Sequence, residues 1–182
     1  MKFYETKLNG AFIIELEKNE DERGFFARTW DKKEMQEFGF NTNLVQCNVS
    51  FNKIKGTLRG MHYQTAPYQE AKFVRCTRGK IFDVIIDLRP NSQTFKQWFS
   101  TEIDEKNHKM IYVPECFAHG FQTLEDNTEI FYQMSEYYMP EYAKGIRWDE
   151  KTFDIKWPIN PKIISEKDLT YPSFNDQTIN KI

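Results

Sequence analysis

Short apolar runs rich in Val, Ile, Phe and Tyr recur along the chain from residue 44 onward, with turn residues between them. Alternation is clearest where Phe82, Val84, Ile86 and Leu88 occupy every second position. A period of two is typical of a strand with one buried face. The predicted strands span residues 44–51, 58–64, 71–78, 80–88, 96–103, 110–113, 120–124 and 128–134. Short strands without a long helical pattern between them predict an antiparallel sandwich or barrel.

The N-terminal part of the chain has a different pattern. A strand is predicted over Ala11–Leu16, followed by a polar turn over Asn19–Gly24 and an extended run that ends at Trp30. A short helix is predicted next, because Asp31 can cap its first turn and Gly39 can end it. We therefore expect a few short helices beside the sheet.

The last part of the chain, residues 148–182, has no regular period. Ser165 and Asp168 have the spacing of a capping box, which predicts a short helix there. No linker, repeat or low-complexity segment divides the 182 residues. The expectation is one domain that spans residues 1–182.

Composition excludes several classes of protein. The formal net charge of −2 lacks the basic excess of a nucleic-acid-binding protein. No apolar stretch approaches the length of a membrane span, and the first residues lack the apolar region of a signal peptide. Cys47, Cys76 and Cys116 have no CxxC spacing, which argues against a disulfide framework or a zinc site. The sequence predicts a cytoplasmic protein that binds neither nucleic acid nor membranes.

Chemically capable side chains are concentrated in one stretch, Gly56–Gln64, and in Lys72 shortly after it. Arg59 and His62 lie in this stretch, and its glycines permit the backbone to bulge. A second stretch further along carries His119. We expect the two stretches to face one another inside a small barrel, with the chemistry between them.

The spacing of His62, Gln64, Glu70 and His119 resembles the two sequence motifs of cupins, which are small jelly-roll barrels. Metal-binding cupins usually present two histidines and a glutamate from the first motif and one histidine from the second. Gln64 takes the place of the second histidine, and a carboxamide is a weak ligand for zinc or iron. The pattern favours an antiparallel, cupin-like jelly roll and argues against a catalytic metal.

Strand parity directs two polar side chains towards the interior. Lys72 shares its face with Val74, and a buried lysine is either paired with an acid or placed to meet an anion. Tyr132 lies between Ile130 and Met134 and also points inward. From this stretch alone, Tyr132 fits a core tyrosine whose hydroxyl is satisfied.

Other candidates have equally plain structural interpretations. His62 and His119 fit hydrogen-bonded core histidines. Asp168 fits a capping residue of the helix opened by Ser165. Arg23 fits a surface arginine. Arg59 lies between two glycines and is less easily explained as a surface residue.

Taken together, these stretches resemble the dTDP-4-dehydrorhamnose 3,5-epimerase family of sugar-nucleotide epimerases. The resemblance covers nearly the whole chain, and its segments occur in the family's order and spacing. The segments are Asp21–Phe26, Gln46–Ser50, Gly56–Gln64, Lys72–Cys76, Gly79–Val84, Asp87–Arg89, Phe117–Phe121, Tyr137–Pro140, Trp157–Pro158 and Lys167–Asp168.

The resemblance implies an isomerase without a cofactor, acting on a 4-keto-6-deoxy sugar attached to a nucleoside diphosphate in deoxysugar, polysaccharide or lipopolysaccharide biosynthesis. The type reaction converts dTDP-4-dehydro-6-deoxyglucose to dTDP-4-dehydrorhamnose. The 4-keto group acidifies the C–H bonds at C3 and C5. A base removes a proton, an enolate forms, and a proton returns from the opposite face of the ring.

The resemblance also implies roles for individual residues. His62 is the base, and Asp168 orients and supports its imidazolium. Lys72 stabilises the enolate oxygen, and Tyr132 is the acid across the ring. The implied substrate-binding residues are Arg23, Phe26, Gln46, Asn48, Arg59, His119 and Lys167. In the family, Arg23 and Phe26 reach into the site of a partner subunit, so a homodimer is implied.

The chain departs from the family pattern at three positions. Arg28 and Ala143 stand where the family commonly has glutamates associated with substrate contacts, and Cys116 stands where a glycine is usual. The identity of the nucleotide and sugar therefore stays open, as does inversion at C3, C5 or both. An epimerase of a single carbon, a metal-dependent cupin enzyme and a non-catalytic sugar-binding jelly roll are the alternatives.

Overall fold

The computed structural model describes residues 1–174, and its regular structure is almost entirely β. The helices within those residues are α1 (Lys32–Glu37) and α2 (Glu166–Leu169). The strands there are β1 (Lys2–Glu5), β2 (Phe12–Glu15), β3 (Asn19–Asp21), β4 (Gly24–Phe26), β5 (Gln46–Asn52), β6 (Leu58–Gln64), β7 (Lys72–Arg78), β8 (Lys80–Asp87), β9 (Trp98–Asp104), β10 (Met110–Val113), β11 (Phe117–Thr123), β12 (Thr128–Met134) and β13 (Ala143–Gly145). The predicted all-β fold with a few short helices is confirmed.

The strands form two larger sheets and a separate hairpin. The six-stranded sheet has the order β1-β2-β10-β7-β12-β5, and the five-stranded sheet has the order β13-β6-β11-β8-β9. The hairpin consists of β3 and β4. Every pairing of these strands is antiparallel.

The main core lies between the two sheets. Val74, Ile111 and Ile130 contribute to it from the six-stranded sheet. Ile85 and Phe121 contribute from the five-stranded sheet. Full burial of a side chain of this size stabilises the fold by about 1.5–3 kcal/mol, so the two inner faces hold the sheets together.

The outer faces of both sheets are also covered. Met35, from α1, packs with Phe73 on the outside of the six-stranded sheet. Phe153, from the irregular tail, packs with Val84 and Ile86 on the outside of the five-stranded sheet. Strand β8 is therefore buried on both faces, and the alternation in its sequence does not separate a buried face from an exposed one.

Several predicted boundaries are confirmed. The strands predicted over residues 58–64 and 128–134 are β6 and β12. Asp31 caps α1 by accepting hydrogen bonds from the backbone N–H groups of Lys33 and Glu34. Gly39 follows the helix with a φ of +75°, a conformation that glycine adopts without steric cost.

Other details of the prediction were wrong. The polar turn predicted over residues 19–24 is mostly the β3–β4 hairpin. Strand β11 begins at Phe117, three residues before the predicted strand. The short strands β1 and β13 were not predicted, because three or four residues at a sheet edge carry too little alternation to be recognised.

The stretches around His62 and His119 lie side by side, and the expectation that they face one another was wrong. They belong to β6 and β11 of the same sheet, where His62 and His119 are directly paired. A Cβ atom at Gly60, where φ is +131°, would lie 2.5 Å from the Cα atom of Gly120. The two glycines therefore permit the strands to approach closely at a shift in register, which is the predicted bulge.

No helix within residues 1–174 is long and apolar enough to cross a lipid bilayer.

Candidate active site

A cavity of about 490 Å³ is lined by strands of both sheets and by the segment that carries α2. Most of the residues predicted for the site contribute to its wall. They are His62, Lys72, Tyr132, Asp168, Gln46, Asn48, Arg59, His119 and Lys167. Because β5, β7 and β12 lie in one sheet and β6 and β11 in the other, these groups surround the cavity from two sides.

His62 and Asp168 form a hydrogen-bonded pair in this wall. The Nε2 atom of His62 lies 2.7 Å from Oδ1 of Asp168. Asp168 is buried, while 44 % of the His62 side chain is exposed. The carboxylate thus lies behind the imidazole, and the ring remains accessible from the cavity.

The charge of Asp168 determines the tautomer of His62. Burial raises the pKa of the Asp168 carboxyl, but the hydrogen bond and charge of His62, together with the Gly60 N–H and the contact with Ser165, outweigh it and lower the pKa. An ionised carboxylate only accepts hydrogen bonds, so Nε2 of His62 carries a proton. In the neutral ring, Nδ1 then has the free lone pair that a general base needs.

Besides its bond with His62, Asp168 is held by one contact within its own helix and by one with strand β6. Its own N–H donates to the Ser165 side chain over 3.1 Å, as in the predicted cap. Its carboxylate accepts a hydrogen bond from the N–H of Gly60 over 3.2 Å. The residue is therefore both a member of a helix cap and the partner of His62.

A second histidine–carboxylate pair lies beside the first. Nε2 of His119 is 2.8 Å from Oδ2 of Asp83, and the Asp83 carboxylate is fully buried. The other oxygen of Asp83 has no hydrogen-bond partner among the described residues. His119 lines the cavity next to His62, where it can contact a ligand.

Lys72 lies in the wall and is paired with an acid. Its Nζ atom is 2.8 Å from Oε1 of Glu70, and both side chains are buried. This confirms the inward direction predicted for Lys72 and identifies its partner. The pairing balances the charge of the ammonium in an environment that otherwise disfavours it.

Tyr132 enters the cavity from the six-stranded sheet, opposite β6. Burial raises the pKa of its phenol, and the nearby positive charge of Arg59 only partly opposes this. The hydroxyl is therefore protonated at neutral pH and available as a proton donor.

The remaining predicted binding residues present polar groups along the cavity. Gln46 donates to Oδ1 of Asn48 over 3.2 Å on β5. The Nε atom of Arg59 donates to Oδ1 of Asn52 over 2.7 Å, which holds the guanidinium at the wall. Lys167 reaches the cavity from α2.

Arg23 and Phe26 are not brought to this cavity. Both lie on the β3–β4 hairpin, where Phe26 is 72 % exposed and Arg23 is paired with Asp21. Most of the Phe26 side chain is therefore open to solvent. The role of Arg23 and Phe26 in binding substrate stays a prediction.

The residues at the cupin metal positions do not fit a metal. The Gln64 side chain donates to the carbonyl oxygens of Tyr68 and Tyr137 and accepts from the N–H of Met139, so both ends of its amide are occupied. Glu70 is paired with Lys72. No cluster of three or more candidate metal ligands occurs within residues 1–174.

Among the residues of the cavity wall that were not predicted as site residues are Glu70, Tyr138 and Tyr171. Glu70 precedes Lys72 by two positions, which places both on one side of an extended chain and was a usable signal. Tyr138 and Tyr171 lie in irregular segments where no period indicates direction.

Comparison with known proteins agrees with this geometry. The family model described as dTDP-4-dehydrorhamnose 3,5-epimerase matches residues 5–176. The dTDP-4-dehydrorhamnose 3,5-epimerase of Methanothermobacter thermautotrophicus is 41 % identical over 181 residues, which cover 98 % of this chain and 97 % of that protein.

Solved structures show the same fold. The Bacillus anthracis dTDP-4-dehydrorhamnose 3,5-epimerase, solved with TDP and PPi bound, is 39 % identical, with a TM-score of 0.92 over 95 % of this chain and 99 % of that one. A 3'-monoepimerase from Streptomyces bikiniensis, solved as a double mutant with dTDP, is 27 % identical, with a TM-score of 0.86 over 93 % and 86 % of the two chains. The cupin-like jelly-roll fold is confirmed, and the chain belongs to the dTDP-4-dehydrorhamnose 3,5-epimerase family of isomerases.

Proposed function

We propose that the protein epimerises a 4-keto-6-deoxy sugar linked to a nucleoside diphosphate. The observation that carries the proposal is the placement of His62 and Tyr132 in opposite sheets around one cavity. Inversion of a carbon requires a base on one face of the sugar ring and an acid on the other.

The reaction follows from the groups present. Nδ1 of His62 takes the proton next to the 4-keto group, and the electrons of the C–H bond move into the enolate. Lys72 supplies positive charge to the developing oxyanion. The Tyr132 hydroxyl then returns a proton to the opposite face, and exchange with water restores the phenol and the neutral imidazole.

A relative supports these two assignments. In the crystallised double mutant of the S. bikiniensis 3'-monoepimerase, one histidine and one tyrosine are replaced. Those positions are separated by as many residues as separate His62 from Tyr132. We infer that the two residues occupy the corresponding positions of this chain.

The nucleotide is proposed to be thymidine diphosphate, because the structures of the B. anthracis and S. bikiniensis relatives contain it. Arg59 and Lys167 lie at the cavity wall and carry the charge that a diphosphate requires. Ala143 also lines the cavity and offers no carboxylate to the sugar.

Inversion of C3 and C5 is the leading proposal, and the monoepimerase relative keeps single-carbon inversion as the alternative. The test is to incubate candidate dTDP-4-keto-6-deoxy sugars with the protein in heavy water and to locate deuterium by NMR. Label and inverted stereochemistry at both carbons support double inversion, and label and inversion at one carbon support the alternative. A failure to label any of these sugars would contradict the proposal.

The reaction is proposed to need no cofactor, because the residues at the cupin metal positions have other partners. Activity should survive dialysis against a strong chelator. Loss of activity that one divalent metal restores would instead favour a metal-dependent cupin enzyme.

A homodimer is proposed to complete the site. The exposed hairpin carries Arg23 and Phe26, and the edge strand β5 exposes Val49 on its outer face. Mixing inactive Arg23→Ala and His62→Ala variants should restore part of the activity, since some mixed dimers keep one intact site. A fully active monomer would refute the dimer. We further propose that the enzyme is a single-domain, cytoplasmic member of a deoxysugar pathway.

A further inference from the structure

The chain that follows α2 places Tyr171 against His62. The two ring centroids are 6.0 Å apart, with an interplanar angle of 70°. This is the edge-to-face arrangement that aromatic rings prefer. Tyr171 also lines the cavity, and the proposed reaction does not use it.

The Tyr171 ring rests on Gly145. A Cβ atom at Gly145 would lie 2.2 Å from Cε2 and 2.3 Å from Cζ of Tyr171, so any side chain there would displace the ring. Gly145 is also the direct partner of His62 in the pairing of β13 with β6. Strand β13 therefore leaves a gap beside His62, and Tyr171 fills it.

The phenol of Tyr171 is neutral in this position. Burial raises its pKa to about 12, and the nearby charge of Asp168 acts in the same direction. The ring therefore brings apolar surface to His62 without adding a charge. Asp168 precedes Tyr171 by three residues, so one short segment contacts the imidazole both at Nε2 and at its ring.

We propose that Tyr171 is a positioning residue for His62. Its ring, seated on Gly145, prevents the imidazole from turning away from Asp168 and keeps Nδ1 directed at the cavity. The proposal rests on the proposed function, in which His62 is the base.

The kinetic test compares four variants with a matched control variant. Tyr171→Ala should lower kcat by about 10- to 100-fold with little change in KM, because a misplaced catalytic group can cost about 10²-fold. Tyr171→Phe keeps the ring and should retain most of the wild-type kcat. Gly145→Ala should reproduce the loss by displacing the ring, and the double variant Gly145→Ala/Tyr171→Ala should lose no more than either single variant. Leu169→Ala is the matched control, since Leu169 lies on the adjoining helix, is 44 % exposed and does not line the cavity.

A spectroscopic test does not depend on turnover. ¹⁵N NMR of the labelled histidines should show His62 as a single Nε2–H tautomer in the wild type and as a mixture in Tyr171→Ala. This result is independent of whether any sugar is epimerised, so failure of the proposed function remains distinguishable. A tautomer unchanged in Tyr171→Ala would overturn the proposal, as would a raised KM with unchanged kcat, which would make Tyr171 part of the substrate-binding wall. If Gly145→Ala does not fold, Tyr171→Ala decides alone.

Discussion

The Glu70 carboxylate lies 2.8 Å from the Lys72 ammonium, with only 4 % and 8 % of the two side chains exposed. The second Glu70 oxygen, Oε2, has no hydrogen-bond partner among the described residues. An unsatisfied buried acceptor costs about 1–3 kcal/mol, so the pair is not arranged for stability alone. It holds one positive charge at the cavity wall, where the proposed enolate forms.

Breaking this pair should destabilise the protein strongly. Glu70→Gln leaves the Lys72 ammonium buried without an opposite charge, and loss of one partner of a buried pair typically costs about 3–5 kcal/mol. Urea denaturation of the wild type and the variant measures the difference. The double variant Glu70→Gln/Lys72→Met should recover much of the stability and none of the activity. A single variant as stable as the wild type would contradict the role of the pair.

Replacing the base should abolish exchange. His62→Ala should lower proton exchange at the substrate carbons by at least about 10²- to 10⁴-fold, the usual contribution of general-base catalysis. Thermal unfolding should show that the fold is kept, because His62 is partly exposed. A folded variant that exchanges at the wild-type rate would move the assignment of the base, with His119 as the next candidate.

The two substitutions of Asp168 should differ. In Asp168→Asn, the amide oxygen can accept from the Gly60 N–H while the NH₂ group donates to Nε2 of His62, which puts the ring proton on Nδ1. Asp168→Asn should therefore lose about as much activity as His62→Ala, and Asp168→Ala should lose less. Measured kcat values and the His62 tautomer by ¹⁵N NMR check this. Equal losses of activity in Asp168→Asn and Asp168→Ala would mean that Asp168 provides charge and does not set the tautomer.

Tyr132→Phe should separate the two halves of the reaction. Proton removal by His62 needs no phenol, so deuterium should still enter the substrate from heavy water. Inversion should fail, because the acid on the opposite face is missing. Product stereochemistry and deuterium content, followed in one NMR experiment, give both rates. Inversion at the wild-type rate would exclude Tyr132 as the acid.

Alkaline stability should depend on Cys76. Burial raises the pKa of its thiol from 9.0 to about 12. Above pH 9 the unfolded thiol loses its proton while the folded thiol keeps it, so the folded state binds more protons and stability falls as pH rises. Between about pH 9 and 12 the wild type should lose up to about 1.4 kcal/mol more per pH unit than Cys76→Ala. Parallel urea denaturation curves over pH 8–10 test this, and equal slopes would contradict it.

Local chemistry in the sequence was sufficient for much of the fold. Strands β6 and β12 were predicted at their observed ends, since their residues alternate or lie between clear turn signals. The cap of Asp31 on α1 depends on side-chain and backbone groups within one turn, so the sequence contains the whole interaction. The inward direction of Lys72 and Tyr132 follows from the period of two alone. The family motifs placed most of the site residues in one cavity, where the structure has them.

The tertiary structure decided what depends on residues far apart in the chain. The sequence shows Asp168 as the third residue of a capping box begun by Ser165, and only the return of the tail to β6 brings its carboxylate to a histidine 106 residues away. The side-by-side pairing of His62 with His119 results from strand order, which a strand's own pattern does not contain. Both faces of β8 are buried because the irregular tail covers one of them. Tyr171 contacts His62 because Gly145 has no side chain, and a contact of that kind depends on three segments at once.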